Sequence, residues 1–228
     1  MNIHKHLNYV TMKINSLQTN YYPNFKAVKI AQTKNFIGNK AVEIDLYKLG
    51  REDRSFLKKW AEKIDFQELF PKLNCLDIER WEHIFRYCIT NAFESENTSY
   101  IAIHDNKPCG ILTYLKAGNS FYLDGICSVP IEANKKVKNV GKTLFYQIFR
   151  DAKEANAREI CLDAVKNGPF NVIEKYEKLK FKKDPTTHPY TKMVCNKHKI
   201  AEQLKEFPYE IEYKEIKPTR TNLLEYLD

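Results

Sequence analysis

Three lysines, Lys136, Lys138 and Lys142, surround one glycine in the run K-K-V-K-N-V-G-K-T-L over residues 135–144. So many like charges close together suit an anion. Ahead of them lies F-Y-L-D-G-I-C-S-V-P-I (121–131), a hydrophobic, strand-like run. Behind them Val140, Leu144, Ile148, Ala152 and Ala155 recur along one helical face, with Phe145 and Phe149 alongside. A strand, a basic glycine-containing loop and a helix start form an anion site in principle. The first N–H groups of a helix have no internal partner, and the helix dipole favours negative charge there. The candidate anion-binding residues are therefore Lys136, Val137, Lys138, Asn139, Val140, Gly141, Lys142 and Thr143. A lysine-rich run also fits a solvated surface, so the loop needs support from the rest of the chain.

The loop resembles the pyrophosphate-binding loop of the GCN5-related N-acetyltransferases. That family writes Gln/Arg-x-x-Gly-x-Gly/Ala at the opening of a helix. Here the stretch reads Lys136-Val137-Lys138-Asn139-Val140-Gly141. Gly141 matches, Lys136 keeps the charge of the family's arginine, and Asn139 stands in place of the middle glycine. Asparagine is the commonest non-glycine residue in the left-handed region, so the loop can still turn. A second segment adds to the resemblance. Asn167-Gly-Pro-Phe-Asn171 supplies helix-start signals, and the helix closes with Y-E-K-L-K-F at residues 176–181. The family commonly ends this helix F-Y-E-K-L-G-F, which puts Tyr176 on its tyrosine and Phe181 on its closing phenylalanine. The resemblance covers residues 41–196 and is strongest over 121–181.

The resemblance implies an α/β (α+β) fold: a mixed, mostly antiparallel central sheet with a splayed parallel pair and flanking helices. It implies an acyl-CoA-dependent N-acetyltransferase, with acetyl-CoA (coenzyme A) as cofactor and direct attack by a primary amine. The loop would hold the phosphates. In the family, alternate backbone N–H groups of the splayed strand hold the pantetheine amides. Counting back from Gly141 without a gap puts these donors on Val129 and Ile131, with Pro130, which has no N–H, facing the other way. A gapped register ends at Ser128 instead. A primary ammonium has a pKa near ~10, so a base is needed. Asp124 is the only carboxylate on strand 121–131 and can serve directly or through a water. Its residue type fits a solvent-facing strand position better. Tyr176 would protonate the leaving sulfur; it also fits an apolar helix position beside Val172 and Leu179. Asn167 or Asn171 would bind the pantetheine arm. The acceptor stays open among small amines, antibiotics, peptide N-termini and lysine side chains. A non-catalytic acyl-CoA binder, acting as sensor or interaction module, is the alternative that Asn139 keeps in play.

The elements that must position these residues follow in order. Residues 25–30 read as a strand, and N-F-I-G-N (35–39) as a turn leading to Ala41–Leu49. There Val42, Ile44 and Leu46 alternate with Glu43, Asp45 and Tyr47, the pattern of a strand with one face buried. Two helices follow. Phe56, Leu57, Trp60, Ala61 and Ile64 mark the first; Trp81, Ile84, Phe85, Cys88 and Ile89 mark the second, with Asp77 as N-cap. In the family these helices and their linker, here 65–74, wall the acceptor groove. Strands at 99–103, 109–116 and 121–131 form a meander, and Glu159–Val165 should return parallel to the last of them. Residues 180–183 and 191–196 supply two more strands. Beyond them come a short helix at 200–204, an alternating strand Y-E-I-E-Y (209–213) and a terminal L-L-E-Y-L segment. The domain reading is an N-terminal extension (1–40), an acetyltransferase-like domain (41–196) and a C-terminal extension (197–228) packing on it.

The chain has 228 residues, enough for one domain with additions. Six cysteines show no C-x-x-C spacing and read as buried thiols of a reducing, cytoplasmic setting. The histidines lack H-x-x-x-H spacing, so no metal is expected. The opening residues lack an apolar signal core, and no apolar run approaches the ~20 residues that span a bilayer, so no membrane partner is expected. A net charge of +8 raises nucleic acid as a partner, but the lysines are spread along the whole chain. A homodimer stays open.

Overall fold

The computed structural model describes residues 26–165, 172–184 and 191–227. Its strands are β1 (Ala27–Ile37), β2 (Lys40–Lys48), β3 (Asn97–His104), β4 (Lys107–Ala117), β5 (Ser120–Ser128), β6 (Glu159–Ala164), β7 (Lys182–Lys183), β8 (Thr191–Asn196) and β9 (Lys214–Thr221). Its helices are α1 (Arg54–Lys63), α2 (Phe66–Leu69), α3 (Cys75–Asn91), α4 (Val140–Glu154), α5 (Val172–Lys178) and α6 (Lys197–Ile211). Among the described residues the strands form one sheet in the order β7-β8-β6-β5-β4-β3-β2-β1-β9. The pairings are antiparallel except β5 with β6, the strands joined by the α4 crossover.

Both faces of the sheet are covered. On one face α4 lays Leu144, Phe145, Ile148, Phe149 and Ala152 onto Tyr100, Leu112, Tyr114 and Leu123. On the other, Phe56, Leu57, Trp60, Trp81 and Phe85 of α1 and α3 cover Tyr47, Ile101 and Ile111. Covering both faces changes the reading of β2. Tyr47 was expected outside but is buried on the α1–α3 face, where its hydroxyl meets that of Tyr226 at 3.1 Å. The N-cap of α3 also moves. It is Asn74, whose side-chain oxygen accepts from the Asp77 N–H at 2.9 Å, and Asp77 sits in the first turn.

The C-terminal part departs most from expectation. Residues 209–213 are not a strand: α6 runs to Ile211, and Glu212 ends it in the left-handed region at φ 43°. Ile200, Leu204 and Phe207 form a helical face against α4, and Ile211 is buried one turn further on. A 4-3-4 spacing sustained over three turns overrides an alternation of five residues. The strand comes later, as β9, which pairs antiparallel with β1.

Two irregularities shape the centre. In the β4–β5 ladder Thr113 faces Gly125 while Tyr114 faces Leu123, so Asp124 is the extra residue of a bulge. The bulge turns the strand over. Phe121 and Leu123 belong to the α4 face, whereas Cys127 and Val129 belong to the α1–α3 face. The second irregularity is a splay: β5 pairs with β6 only from Ser120 to Leu123, and beyond that a wedge opens between them.

Candidate active site

The wedge leads to the lysine-rich loop. After β5 the chain turns, with the Ile131 N–H bonded to the Lys135 carbonyl at 3.1 Å. Asn139 then adopts φ 64°, ψ 8°, and α4 begins at Val140. This is the left-handed residue that asparagine can supply in place of glycine. The first helical bond inside α4 runs from the Thr143 N–H to the Asn139 carbonyl at 3.0 Å. The N–H groups of Val140, Gly141 and Lys142 therefore lack helical acceptors. A left-handed residue followed by right-handed ones curls successive N–H groups into a concave nest for an anion. A Cβ built on Gly141 would meet no atom within 4 Å, and its φ is not positive. Neither packing nor backbone conformation requires glycine there.

A second group of residues gathers at the wedge. Tyr176 of α5 is half-buried and packs edge-on against Phe145 at 5.8 Å. Burial pushes its phenol well above the usual tyrosine range, helped by the nearby Cys88 and Cys127 thiols. Cys88 reaches in from α3 and sits against Gly125, where an added Cβ would meet its sulfur at 2.7 Å. Burial raises the Cys127 thiol to about 12, with Lys136 pulling the other way. Asp124, half-buried at the bulge, is held above the ordinary carboxylate range by desolvation, against a hydrogen bond from Asn97. Burial, then the Cys127 thiol and more weakly Asp124, push the Cys88 thiol up, and Cys88 in turn raises Tyr176.

Other expected site residues fall differently. The Val129 N–H is bonded to the Cys109 carbonyl at 3.0 Å, and the Ile131 N–H to Lys135, so neither is available to a pantetheine amide. Because N–H groups alternate along a strand, those of Ile126 and Ser128 point away from β4, toward the wedge. The gapped register ending at Ser128 is the one the geometry allows. Thr143 is turned inward, fully buried beside Thr33 and Asn35. Val137 and Val140 are core residues and offer only their backbones. Lys138 is exposed, and Lys142 is ion-paired with Glu210 of α6. The Lys136 ammonium lies 5.8 Å from the centroid of the Trp81 ring. Desolvation, then repulsion from Lys175, holds it below the usual lysine range. Asn167 and Asn171 lie outside the described residues. Sequence reasoning missed Cys88, which looked like any apolar helix position, and Asn35, whose partner is 103 positions away. Five of the six cysteines are buried, Cys75 is exposed, and all six are free thiols.

Among the described residues no cluster of His, Cys, Asp or Glu could hold a metal ion, and no helix is long and apolar enough to cross a membrane. A cavity of about 530 Å³ lies between α1–α2 and α3, with Glu62, Asp65, Glu79 and Glu82 on its walls beside one cation, Lys63.

No family model matches the sequence, and no curated protein matches it. Solved structures do match. A crystal structure of a putative acetyltransferase aligns over 77% of this chain and 96% of its own, at 12% identity and a TM-score of 0.50. PaiA N-acetyltransferase from Thermoplasma acidophilum, in complex with coenzyme A, aligns over 67% and 98%, at 18% identity and a TM-score of 0.46. The GNAT domain of S. lividans PAT aligns over 72% and 96%, at 10% identity and a TM-score of 0.47. The chain has the fold of the GCN5-related N-acetyltransferases.

Proposed function

We propose that this chain is an acyl-CoA-dependent N-acyltransferase that moves an acetyl group from acetyl-CoA to a primary amine. The observation that carries the reading is the wedge between β5 and β6, with the open helix start at Asn139–Lys142 following β5 along the chain. The pyrophosphate would sit on that nest, with Gly141 leaving its backbone open to approach. The pantetheine would lie in the wedge against the N–H groups of Ile126 and Ser128. The thioester would then stand near Cys88, Cys127 and Tyr176.

In the proposed step the neutral amine attacks the thioester carbonyl. The new C–N bond forms, the C–S bond breaks, and the sulfur leaves as a thiol. Tyr176 supplies the sulfur's proton; its raised pKa keeps the phenol protonated at working pH. Asp124 accepts the amine's proton, directly or through a water, and its desolvated carboxyl is a better base than an ordinary one. Each group of this kind is worth about 10²- to 10⁴-fold in rate. The carboxylates walling the cavity between α1–α2 and α3 suit a cationic acceptor.

The alternative is an acyl-CoA binder without turnover. Asn139 in place of the loop's middle glycine, and a base that rests on the single half-buried Asp124, keep it in play. One experiment separates the readings. Acetyl-CoA at ~100 times its dissociation constant should stabilise the fold by about 2.7 kcal/mol. A screen of amines and peptides with acetyl-CoA should then yield an acetylated product by intact mass. A melting shift without product would leave the binder; no shift at millimolar acetyl-CoA and no calorimetric heat would remove both.

A further inference from the structure

We infer that Asn35, on the first strand of the sheet, is a positioning residue for the anion-binding loop, so that the N-terminal hairpin is part of the cofactor site. The inference rests on the proposed acyl-CoA reading. β1 reaches the loop through two bonds to one residue. The Lys138 N–H donates to the Phe36 carbonyl at 2.8 Å, and the Asn35 amide donates to the Lys138 carbonyl at 2.9 Å. Asn35 is itself fixed. Its side-chain oxygen accepts from the Thr33 hydroxyl at 2.9 Å, and its amide lies 3.4 Å from the Thr143 hydroxyl. Thr33 and Thr143 are 3.3 Å apart. Asn35 and Thr143 are fully buried and Thr33 is 2% exposed, so the cluster excludes water.

The consequence follows from peptide geometry. In a planar trans peptide the carbonyl and the following N–H point in opposite directions. Asn35 draws the Lys138 carbonyl inward, so the Asn139 N–H of that same peptide is turned outward. That N–H leads into the nest formed with Val140 and Gly141. The same peptide bond precedes the left-handed turn at Asn139, where φ is 64°. A loop whose middle residue is asparagine rather than glycine has one fixed point, and it is supplied from β1. Without Asn35 the peptide is free to rotate, and one charge-assisted contact to phosphate is lost.

Asn35→Leu removes all three side-chain bonds at similar size. It should weaken CoA binding about 10- to 100-fold by calorimetry, at a temperature where the chain is folded. Asn35→Ala should do the same without any steric demand. Ile44→Val is the control: Ile44 is the buried cross-strand partner of Thr33, so its truncation should lower the melting temperature and leave CoA affinity unchanged. Amide exchange on the unmutated chain tests the pinning directly. The Lys138 amide should exchange as slowly as the interior of α4 even without CoA; exchange as fast as the Asp105–Asn106 turn would overturn the inference. Folded Asn35 variants that bind CoA like the unmutated chain would also overturn it, and the acyl-CoA reading would stand. An unmutated chain that binds no CoA removes that reading first, and this one with it.

Discussion

At the residue scale, Tyr176 has a packing role and a proposed chemical role that a single oxygen separates. Its ring meets Phe145 and Phe181, contacts that Phe would keep. Tyr176→Phe should therefore change stability little and leave acetyl-CoA affinity within a few-fold, since one neutral hydrogen bond is worth about 0.5–1.5 kcal/mol. Turnover should fall about 10²- to 10⁴-fold. Wild-type turnover in the folded variant would make Tyr176 a packing residue only. Glu210 offers a test of opposite sign. It holds Lys142 at the surface, with both side chains more than two-fifths exposed. An exposed pair of this kind is worth about 0.2–1 kcal/mol. Glu210→Gln should free Lys142 and tighten CoA binding by up to about five-fold at low salt, with the gain fading as salt rises. Unchanged affinity would show that Lys142 does not reach the phosphates.

At the element scale, the start of α4 combines a left-handed residue, a glycine and a buried first turn. Val140 and Leu144 anchor that turn in the core, so the helix end is held rigidly. Gly141→Val should leave the fold intact, because the space around its α-carbon is open. It should abolish the acetyl-CoA melting shift, because a β-branched side chain would stand where the phosphate approaches the nest. A folded Gly141→Val that still shows the full shift would put the phosphate elsewhere. The wedge is likewise a property of elements. β5 follows β4 through Ser128 and β6 follows β8 through Ala164, so the two strands part because each is committed to its other neighbour.

At the scale of the whole molecule, β1 ties distant parts together. Its first residue, Ala27, donates its N–H to Asp53 at 3.3 Å, ahead of α1; its far end holds the loop before α4. Asp53 also accepts from the Gly50 N–H at 2.8 Å. Those bonds favour the charged carboxylate, yet desolvation outweighs them and raises its pKa to about 6, from an ordinary 3.8. The folded chain then binds more protons than the unfolded chain between these values. The stabilisation from this group is full below about pH 4 and is lost as pH rises through about 6. Thermal melts across that window should show the decline, and Asp53→Asn should remove it. A variant with the same pH slope would assign the decline to other groups.

Local patterns in the sequence were enough for the meander, the α4 crossover and the left-handed turn at Asn139. Each depends on periodicity or on one residue's backbone preference, and both act over a few positions. The motif around Gly141 and the Y-E-K-L-K-F segment were legible for the same reason. The α6 helix was misread because its period-two stretch at 209–213 is only five residues long, while the face that decides its state is built by packing on α4. The N–H groups that point away from β4 are those of Ile126 and Ser128, not that of Val129, because one bulge at Asp124 reverses the strand. A bulge is decided by the partner strand. Cys88, Asn35 and Glu210 are brought beside the candidate site only by the tertiary structure. Each meets its partner across tens of residues or more, and no pattern along the chain encodes such a meeting.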